Sequence, residues 1–216
     1  MAAIIPFKGI RYNPHKIEKL DLVVTQPYDK ITEDMQEAYY QKHPLNIVRV
    51  HRGKSFPEDS STNNVYTRAA NLLDQWEKGQ ILVQDKEPSL YLYDQEYTTF
   101  RGEKKVRKGF ITALRLEEFS SGVVLPHERT LSKPKEDRLK LLKATGVYFG
   151  QIFILYPDPQ NRVNQLLKPF KLGKPYMQVR DEYGVIHKVW RTSEEETIQK
   201  AREEMRDKSL VIADGH

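Results

Sequence analysis

The stretch Val211-Ile212-Ala213-Asp214-Gly215-His216 decides the fold, because an apolar run passes directly into a polar turn there. A short apolar run bounded by turn residues is typical of a buried strand, and Asp-Gly pairs are common in tight turns. No helical periodicity and no capping residue follow. A domain rarely ends on a core strand and one turn, so we expect an α/β chain that is truncated after its last core strand and is the N-terminal part of a longer protein.

Five segments upstream carry the signals of helices. They are residues 32–43, 60–78, 135–145, 161–170 and 193–208. Thr32 suits the N-terminal cap of the first segment, and the Pro44 that follows His43 ends it. Apolar residues recur at helical spacing in the second segment, which Gly79 ends. Ser193 and the glutamate three residues later form a predicted capping box for the last segment.

Apolar, β-branched or aromatic runs predict strands between these helices. The runs are residues 22–24, 47–50, 81–83, 90–93, 109–114, 148–156, 176–180, 185–191 and 209–213. Turn residues at 181–184 predict a hairpin, and 109–114 is the expected antiparallel partner of 90–93. The run 148–156 is nearly all apolar, which is typical of a strand in the centre of a sheet. Interspersed strands and helices favour one mixed α/β region over residues 1–216, with several hairpins and flanking helices.

Composition excludes several classes of site and of location. The chain has no cysteine, so disulfides, thiolate metal sites and cysteine nucleophiles are excluded. No segment has the roughly 18 uncharged apolar residues of a membrane helix, and the start lacks the basic region of a secretory signal. We therefore expect a cytoplasmic protein with no membrane partner. The formal net charge is +5, but acids and bases are mixed along the chain, so a nucleic-acid partner is disfavoured and stays open.

The terminal turn is the first candidate site. Asp214 would bring a carboxylate to the C-terminal edge of a strand, where ligands bind in open α/β sheets. Gly215 would let backbone approach a ligand closely, and a helix that begins near His216 would direct free N–H groups at an anion. The alternative is an ordinary Asp-Gly turn, and the spacing alone does not choose between the two.

A second candidate site is a run of polar residues before and within the helix at 135–145. It contains Pro126, His127, Glu128, Arg129, Thr130, Lys133, Lys135, Asp137 and Arg138. Histidine and carboxylates transfer protons or hold a hard metal ion, whereas arginine and lysine clamp phosphates. The alternative is that Arg129 and Arg138 simply pair with Glu128 and Asp137.

A third candidate is the loop after residues 22–24. Tyr28 and Asp29 follow Pro27 there and would line a pocket, or Asp29 would instead cap the helix that opens near Thr32. Three single histidines are expected to be structural rather than ligands: His43, His51 and His187. The chain lacks the glycine-rich phosphate loop, the dinucleotide-binding glycine motif, the nucleophile elbow and the zinc-protease motif. The commonest nucleotide-binding and hydrolase classes are therefore disfavoured.

These motifs together resemble the bacterial and archaeal family called domain of unknown function 1015. The resemblance covers essentially the whole chain, in the same order, and rests on Ile5-Pro6-Phe7, Pro27-Tyr28-Asp29, Pro126-His127-Glu128-Arg129-Thr130, Lys133-Pro134-Lys135, Asp137-Arg138-Leu139 and Ala213-Asp214-Gly215-His216. It implies a longer protein, in which the last motif continues with a second histidine and an arginine that open a helix. Two positions depart from the family pattern, Gln26 in place of a usual proline and Phe149-Gly150-Gln151, and neither departure removes a charged residue.

The function of that family is unsettled, and a second resemblance supplies hypotheses. A strand-to-helix turn of the form Asp-Gly-His-His-Arg is similar to the phosphate-binding motif of the ParB and sulfiredoxin-like superfamily. That superfamily includes nucleotide-dependent free-serine kinases and CTP-binding DNA-segregation proteins. The resemblance implies a nucleotide-dependent phosphotransferase or phosphate-ester hydrolase that uses Mg²⁺ and ATP or ADP on a small metabolite such as an amino acid.

Each candidate residue has a role in that hypothesis. The residues that bind substrate or clamp phosphates are Tyr28, Asp29, Arg129, Thr130, Lys133, Lys135, Arg138, Gly215 and His216. Glu128 or Asp214 holds the metal or acts as the base, and His127 assists proton transfer. One alternative is a ParB-like regulator that binds nucleotide or nucleic acid without metabolic catalysis. Another is a non-catalytic interaction domain in which the polar clusters are structural.

Overall fold

The computed structural model describes residues 1–128 and 132–215, and of Lys133 the backbone alone. The chain divides into two compact units. The first comprises Met1–Gly9, Gln84–Arg129 and Gln151–His216, and the second comprises Ile10–Val83 and Thr130–Gly150. Each unit contains helices and strands, so the predicted mixed α/β class is confirmed. The single region predicted over residues 1–216 stays a prediction.

The second unit is mainly helical. Its elements are β2 (Ile10–Tyr12), α1 (Glu33–Lys42), α2 (Val48–His51), α3 (Val65–Lys78), β3 (Leu82–Gln84) and α4 (Ser132–Thr145), and β2 pairs with β3. Leu73 and Trp76 of α3 are buried in one apolar cluster with Leu141 of α4. Burial of such side chains stabilises the fold by about 1.5–3 kcal/mol each. This packing fixes α4 against α3.

Local end signals explain where the helices of this unit begin and end. Thr32 Oγ1 accepts a hydrogen bond from the Met35 N–H at 3.3 Å. α1 ends at Lys42 with His43 as its C-terminal cap, as the Pro44 that follows predicts. Asn64 caps α3 by accepting from two backbone N–H groups of its first turn. The predicted helices at 32–43, 60–78 and 135–145 are therefore confirmed, with α3 and α4 shifted by a few residues at their starts.

The strand predicted at residues 47–50 is wrong, because this segment forms the short helix α2. Asn46 is fully buried, and its Oδ1 accepts from the Val48 N–H at 3.0 Å. Its amide also donates to the Leu22 carbonyl at 2.8 Å, so the segment is tied to the preceding loop. These tertiary bonds start a helical turn in a run whose β-branched residues favour a strand.

The first unit contains most of the strands. Its elements are β1 (Ile4–Ile5), β4 (Leu90–Thr98), β5 (Lys104–Ile111), β6 (Ala113–Leu114), β7 (Val124–Leu125), β8 (Phe153–Leu155), α5 (Arg162–Leu167), β9 (Met177–Arg180), β10 (Ile186–Thr192), α6 (Glu195–Arg206) and β11 (Leu210–Asp214). One sheet has the antiparallel order β5-β4-β10-β9, and another has the order β7-β11-β8. β1 pairs with β6. The hairpin predicted at 181–184 and the pairing of 90–93 with 109–114 are confirmed.

The core of the first unit lies between one face of each sheet and helix α6. Leu92 of β4 lies opposite Trp190 of β10, and both belong to the same buried cluster as Ile198 of α6. Leu210 and Ile212 of β11 face this cluster too. In the three-stranded sheet, period-2 alternation places Val211 and Leu155 on the opposite face, where both are exposed.

Two further predictions for this unit are wrong. Residues 148–156 form a strand only at β8, and β8 is an outer strand of its sheet, whereas β11 is central. The helix predicted at 193–208 is present as α6, but Glu194 is its N-terminal cap residue, and the Ser193 hydroxyl donates to Glu87 instead. The outer position of β8 and the bond of Ser193 both depend on partners far away in the sequence, so neighbouring residues do not predict them. Among the described residues, no helix is both long and apolar enough to cross a membrane.

Candidate functional site

Two predicted site segments follow neighbouring parallel strands. β7 pairs in parallel with β11, with Val124 opposite Leu210 and Leu125 opposite Val211. Parallel neighbours end at the same edge of a sheet. His127 and Glu128 follow the end of β7, and Asp214 is the last residue of β11. The fold of the first unit therefore brings these three residues to one sheet edge.

A β-bulge turns Asp214 to the solvent-accessible face of this sheet. On the other side of β11, Ile212 pairs with Ile154, but the next pair is Asp214 with Phe153, so Ala213 is an extra residue. In a regular ladder Ala213 would oppose Phe153, and Asp214 would share the buried face of Ile212. With the bulge, Asp214 is exposed and shares the face of Val211 and Phe153. Bulges of this kind re-aim side chains and are frequent beside active sites.

Gly215 is required by its own backbone geometry. Its φ is +77°, and a Cβ at this position would lie 3.0 Å from the carbonyl oxygen of Gln151. Its N–H donates to Asp214 Oδ1 at 2.8 Å. The glycine thus has a local physical reason, since positive φ and close packing both favour it. The tight Asp-Gly turn stays a prediction, because residue 216 lies outside the described residues. The role of Gly215 in approach to a phosphate stays a prediction.

His127 and Glu128 are both accessible from solvent. The exposed fractions of their side chains are 37% and 59%, and His127 Nε2 lies 3.9 Å from Glu128 Oε2. An accessible imidazole beside a carboxylate suits proton transfer to or from a bound ligand.

Phe153 lies opposite Asp214 and Arg107 lies against Phe153, and neither residue stands out in the sequence. Phe153 is the cross-strand partner of Asp214, and the Arg107 guanidinium lies 5.2 Å from the Phe153 ring centroid. Arg107 Nη1 also donates to Gln95 Oε1 at 3.2 Å. The sequence signal that could have indicated Arg107 is the basic run at residues 104–108. Its position beside β8, however, depends on contacts between residues far apart in the sequence.

Tyr28 and Arg138 meet in the second unit. The Arg138 guanidinium lies 4.0 Å from the Tyr28 ring centroid. It donates to the Asp137 carboxylate and, through Nη1, to the His51 carbonyl at 2.8 Å. The pairing of Arg138 with Asp137, left open in the sequence as the structural alternative, is therefore present. Any role of Arg138 as a phosphate clamp stays a prediction.

His51 is buried beside this arginine. Its Nε2 lies 2.7 Å from Thr25 Oγ1. Burial first, and then the positive charges of Arg138 and Arg52, together lower the pKa of His51 to about 4. The ring is therefore neutral near pH 7, as expected of a structural histidine.

The remaining predicted site residues are not brought into either cluster by the contacts of the described residues. Asp29 and Lys135 are exposed in the second unit, and Thr32 rather than Asp29 caps α1. Arg129, Thr130 and His216 lie outside the described residues, as does the side chain of Lys133.

The described residues contain no group of three histidine, aspartate or glutamate side chains that could hold a metal ion. Mg²⁺ makes a smaller demand, because it is commonly bound by one or two carboxylates together with nucleotide phosphates and water. Glu128 and Asp214 at one sheet edge fit that requirement.

No curated protein and no solved structure matches the chain. The model of one protein family, described as protein of unknown function (DUF1015), matches residues 4–216. That match covers almost the whole chain and includes every motif on which the resemblance rests. The chain belongs to the DUF1015 family.

Proposed function

We propose that the edge formed by the ends of β7 and β11 is the catalytic site of a nucleotide-dependent phosphotransferase that acts on a small metabolite such as an amino acid. The observation that carries the proposal is the β-bulge at Ala213. It places the Asp214 carboxylate on the accessible face, at the edge that His127 and Glu128 also reach. A bulge disrupts the ladder beside it, and a disrupted ladder at the end of a central strand suggests that the direction of this carboxylate matters.

The residue types at this edge match the needs of phosphoryl transfer. The reaction requires a nucleophile held in line, a group that accepts its proton, and positive charge around the phosphates. Asp214 is suited to accept a proton from a substrate hydroxyl, and His127 is suited to donate or relay one. With Asp214 as the base, Glu128 would hold Mg²⁺ together with nucleotide phosphates, and the ion would supply positive charge there. In this proposal the phosphate-binding cation is Arg129, which follows Glu128 in the same unit and lies outside the described residues.

The proposal is tested with the full-length protein. Binding of Mg·ATP and Mg·ADP is measured by isothermal titration calorimetry, and phosphate transfer is followed with a panel of amino acids. We expect binding of one nucleotide and transfer to one acceptor. Asp214→Asn should lower the transfer rate by about 10²-fold or more, the usual contribution of a positioned acid or base. Glu128→Gln should weaken the apparent affinity for Mg²⁺.

The matched control is Asp207→Asn, which removes one exposed carboxylate at the end of α6. It should leave binding and transfer unchanged, and all three variants should keep the melting temperature of the parent protein. If neither nucleotide binds at millimolar concentration, the phosphotransferase is rejected. If Asp214→Asn transfers phosphate at the parent rate, the edge is not the catalytic site.

A further inference from the structure

The hairpin of β4 and β5 carries an unusual concentration of positive charge. Five of the eight residues from 101 to 108 are basic and one is acidic: Arg101, Glu103, Lys104, Lys105, Arg107 and Lys108. Residues 101–108 are all exposed. β5 is an outer strand in the sheet order β5-β4-β10-β9. The charge is therefore presented to solvent along a strand, unlike the mixed charge of the helices.

Aromatic side chains lie among these cations on one face of the sheet. Tyr97 lies directly opposite Lys105, and the Arg107 guanidinium lies 5.7 Å from the Tyr97 ring centroid. Further along the same face, the rings of Tyr93 and His187 stack with centroids 5.9 Å apart and an interplanar angle of 15°. This row of rings runs beside the cations on the face opposite the buried core.

The tip of the hairpin extends the same pattern. Phe100 is 95% exposed, and the Arg101 guanidinium lies 5.3 Å from its ring centroid. Burial does not account for a phenylalanine in this position. An aromatic ring that stays in solvent beside an arginine has one flat face available for stacking.

The acids near this surface are already paired. Asp94 and Glu96 lie on the other face of β4, where they bind Lys171 and Lys188. Glu103 lies 3.1 Å from Lys105, and Asp181 lies 3.2 Å from the His187 ring. Lysines thus balance Asp94, Glu96 and Glu103, and Arg101 and Arg107 outnumber Asp181, so the aromatic face keeps a net positive charge.

We propose that this face of the β4–β5 hairpin binds single-stranded nucleic acid. Bases would stack on Tyr97 and Phe100, and Arg107, Lys105 and Arg101 would contact the phosphates. Proteins that bind single strands without strong sequence preference combine these two elements, a positively charged path and successive aromatic platforms. Nucleic-acid readers with exposed β-sheets stack bases on aromatic side chains in the same way.

Two other roles for these basic residues fit the hairpin less well. They are protection of the sheet edge and binding to a membrane. Lysines on an outer strand discourage edge-to-edge pairing between molecules, but that role does not call for the exposed Phe100. An anionic membrane would attract the cations, yet binding in the interface requires a broad apolar face. Phe100 is the single apolar residue at the tip, and the cations continue along β5 away from it.

The test is fluorescence anisotropy with labelled oligo(dT) and oligo(U) of about 15 nucleotides, within the usual site size of one binding domain. The intact protein should bind both, and the logarithm of the affinity should fall linearly with the logarithm of salt concentration. Lys105→Gln combined with Arg107→Gln should reduce the magnitude of that slope by about 1.4, or about 0.7 for each lost phosphate contact. Phe100→Ala and Tyr97→Ala should each weaken binding at least about fivefold, the factor that corresponds to about 1 kcal/mol of base stacking.

The matched control is Lys104→Gln combined with Lys108→Gln, which removes the same charge from the opposite face of the same strand. This variant should keep most of the affinity and the parent slope. Equal losses in the two double variants would overturn the proposal, because they would indicate attraction by net charge alone. Binding to vesicles that contain phosphatidylserine with no binding to either oligonucleotide would overturn it in favour of a membrane. None of these variants changes His127, Glu128 or Asp214, so failure here leaves the proposed phosphotransferase untouched.

Discussion

Replacement of Gly9 by alanine should destabilise the first unit, because it disturbs a hydrogen bond to the buried carboxylate of Asp85. The Gly9 N–H donates to the Tyr91 hydroxyl at 2.7 Å, and that hydroxyl donates to Asp85 Oδ2 at 2.8 Å. Asp85 is 4% exposed, and its other oxygen accepts from the Tyr176 hydroxyl at 2.6 Å. A Cβ on Gly9 would lie 2.7 Å from Tyr91 Oη and 2.9 Å from Cζ. Since real Cβ atoms do not approach so closely, Tyr91 must move away from Asp85.

The magnitude follows from the bonds that are lost. A hydrogen bond to a charged group contributes about 1.5–3 kcal/mol, and a neutral bond about 0.5–1.5 kcal/mol. Loss of the Tyr91 bond to Asp85 together with the Gly9 bond should therefore lower the free energy of unfolding by roughly 2–4 kcal/mol. Burial raises the pKa of Tyr91 to about 12, so the hydroxyl stays protonated as a donor near pH 7. The assay is urea unfolding followed by circular dichroism.

Two variants separate this cause from general effects of the substitution. A Cβ on Gly109 would meet its nearest atom, the Tyr93 carbonyl oxygen, at an ordinary 3.9 Å, so Gly109→Ala should change the free energy of unfolding by less than about 0.5 kcal/mol. In a Tyr91→Phe background the bond to Asp85 is already lost, so Gly9→Ala should cost less than in the parent protein. A cost below about 0.5 kcal/mol for Gly9→Ala in the parent protein would refute the reasoning.

Three further predictions concern stability. The pKa of His51 is lowered to about 4 from an ordinary 6.5, so the unfolded chain binds the proton more readily. The free energy of unfolding should be constant above about pH 6.5 and fall by up to about 3 kcal/mol as the pH drops towards 4. His51→Asn should flatten this profile, and an unchanged profile in the variant would contradict the lowered pKa of His51. Arg138→Lys cannot reproduce the donors that reach Asp137 and the His51 carbonyl, so its melting temperature should fall, while Lys135→Arg, an exposed change on the same helix, should not lower it. Leu92 is fully buried, so Leu92→Ala should lower the free energy of unfolding in urea by about 2–5 kcal/mol. Val106 is exposed, so Val106→Ala should lower it by less than about 0.5 kcal/mol. Equal losses would show that Leu92 does not lie in the core of the first unit.

Elements with strong local signals were predicted correctly. The cap at Thr32 and the stop at His43-Pro44 act through neighbouring backbone, so they operate wherever the helix lies. The hairpin at 181–184 is likewise set by its turn residues. The segment at 47–50 and the outer position of β8 were predicted incorrectly, because Asn46 and the strand order supply contacts from residues far apart in the sequence.

The candidate site shows the same division. The sequence identified His127, Glu128 and Asp214 by residue type, and it placed Asp214 at the end of an apolar strand. It did not indicate that β7 runs parallel to β11, and it did not locate Arg107 beside Phe153. The partner of Arg138 was one of two alternatives in the sequence, and the contacts of the second unit decided it.

The sequence by itself determined the mixed α/β class, the family motifs and the buried strand at residues 210–212. Each of these follows from residue type and short-range spacing. Only the tertiary structure decided which face of the sheet Asp214 occupies. That choice depends on one extra residue, Ala213, relative to the partner strand, and a register shift exists only when two strands distant in sequence are paired.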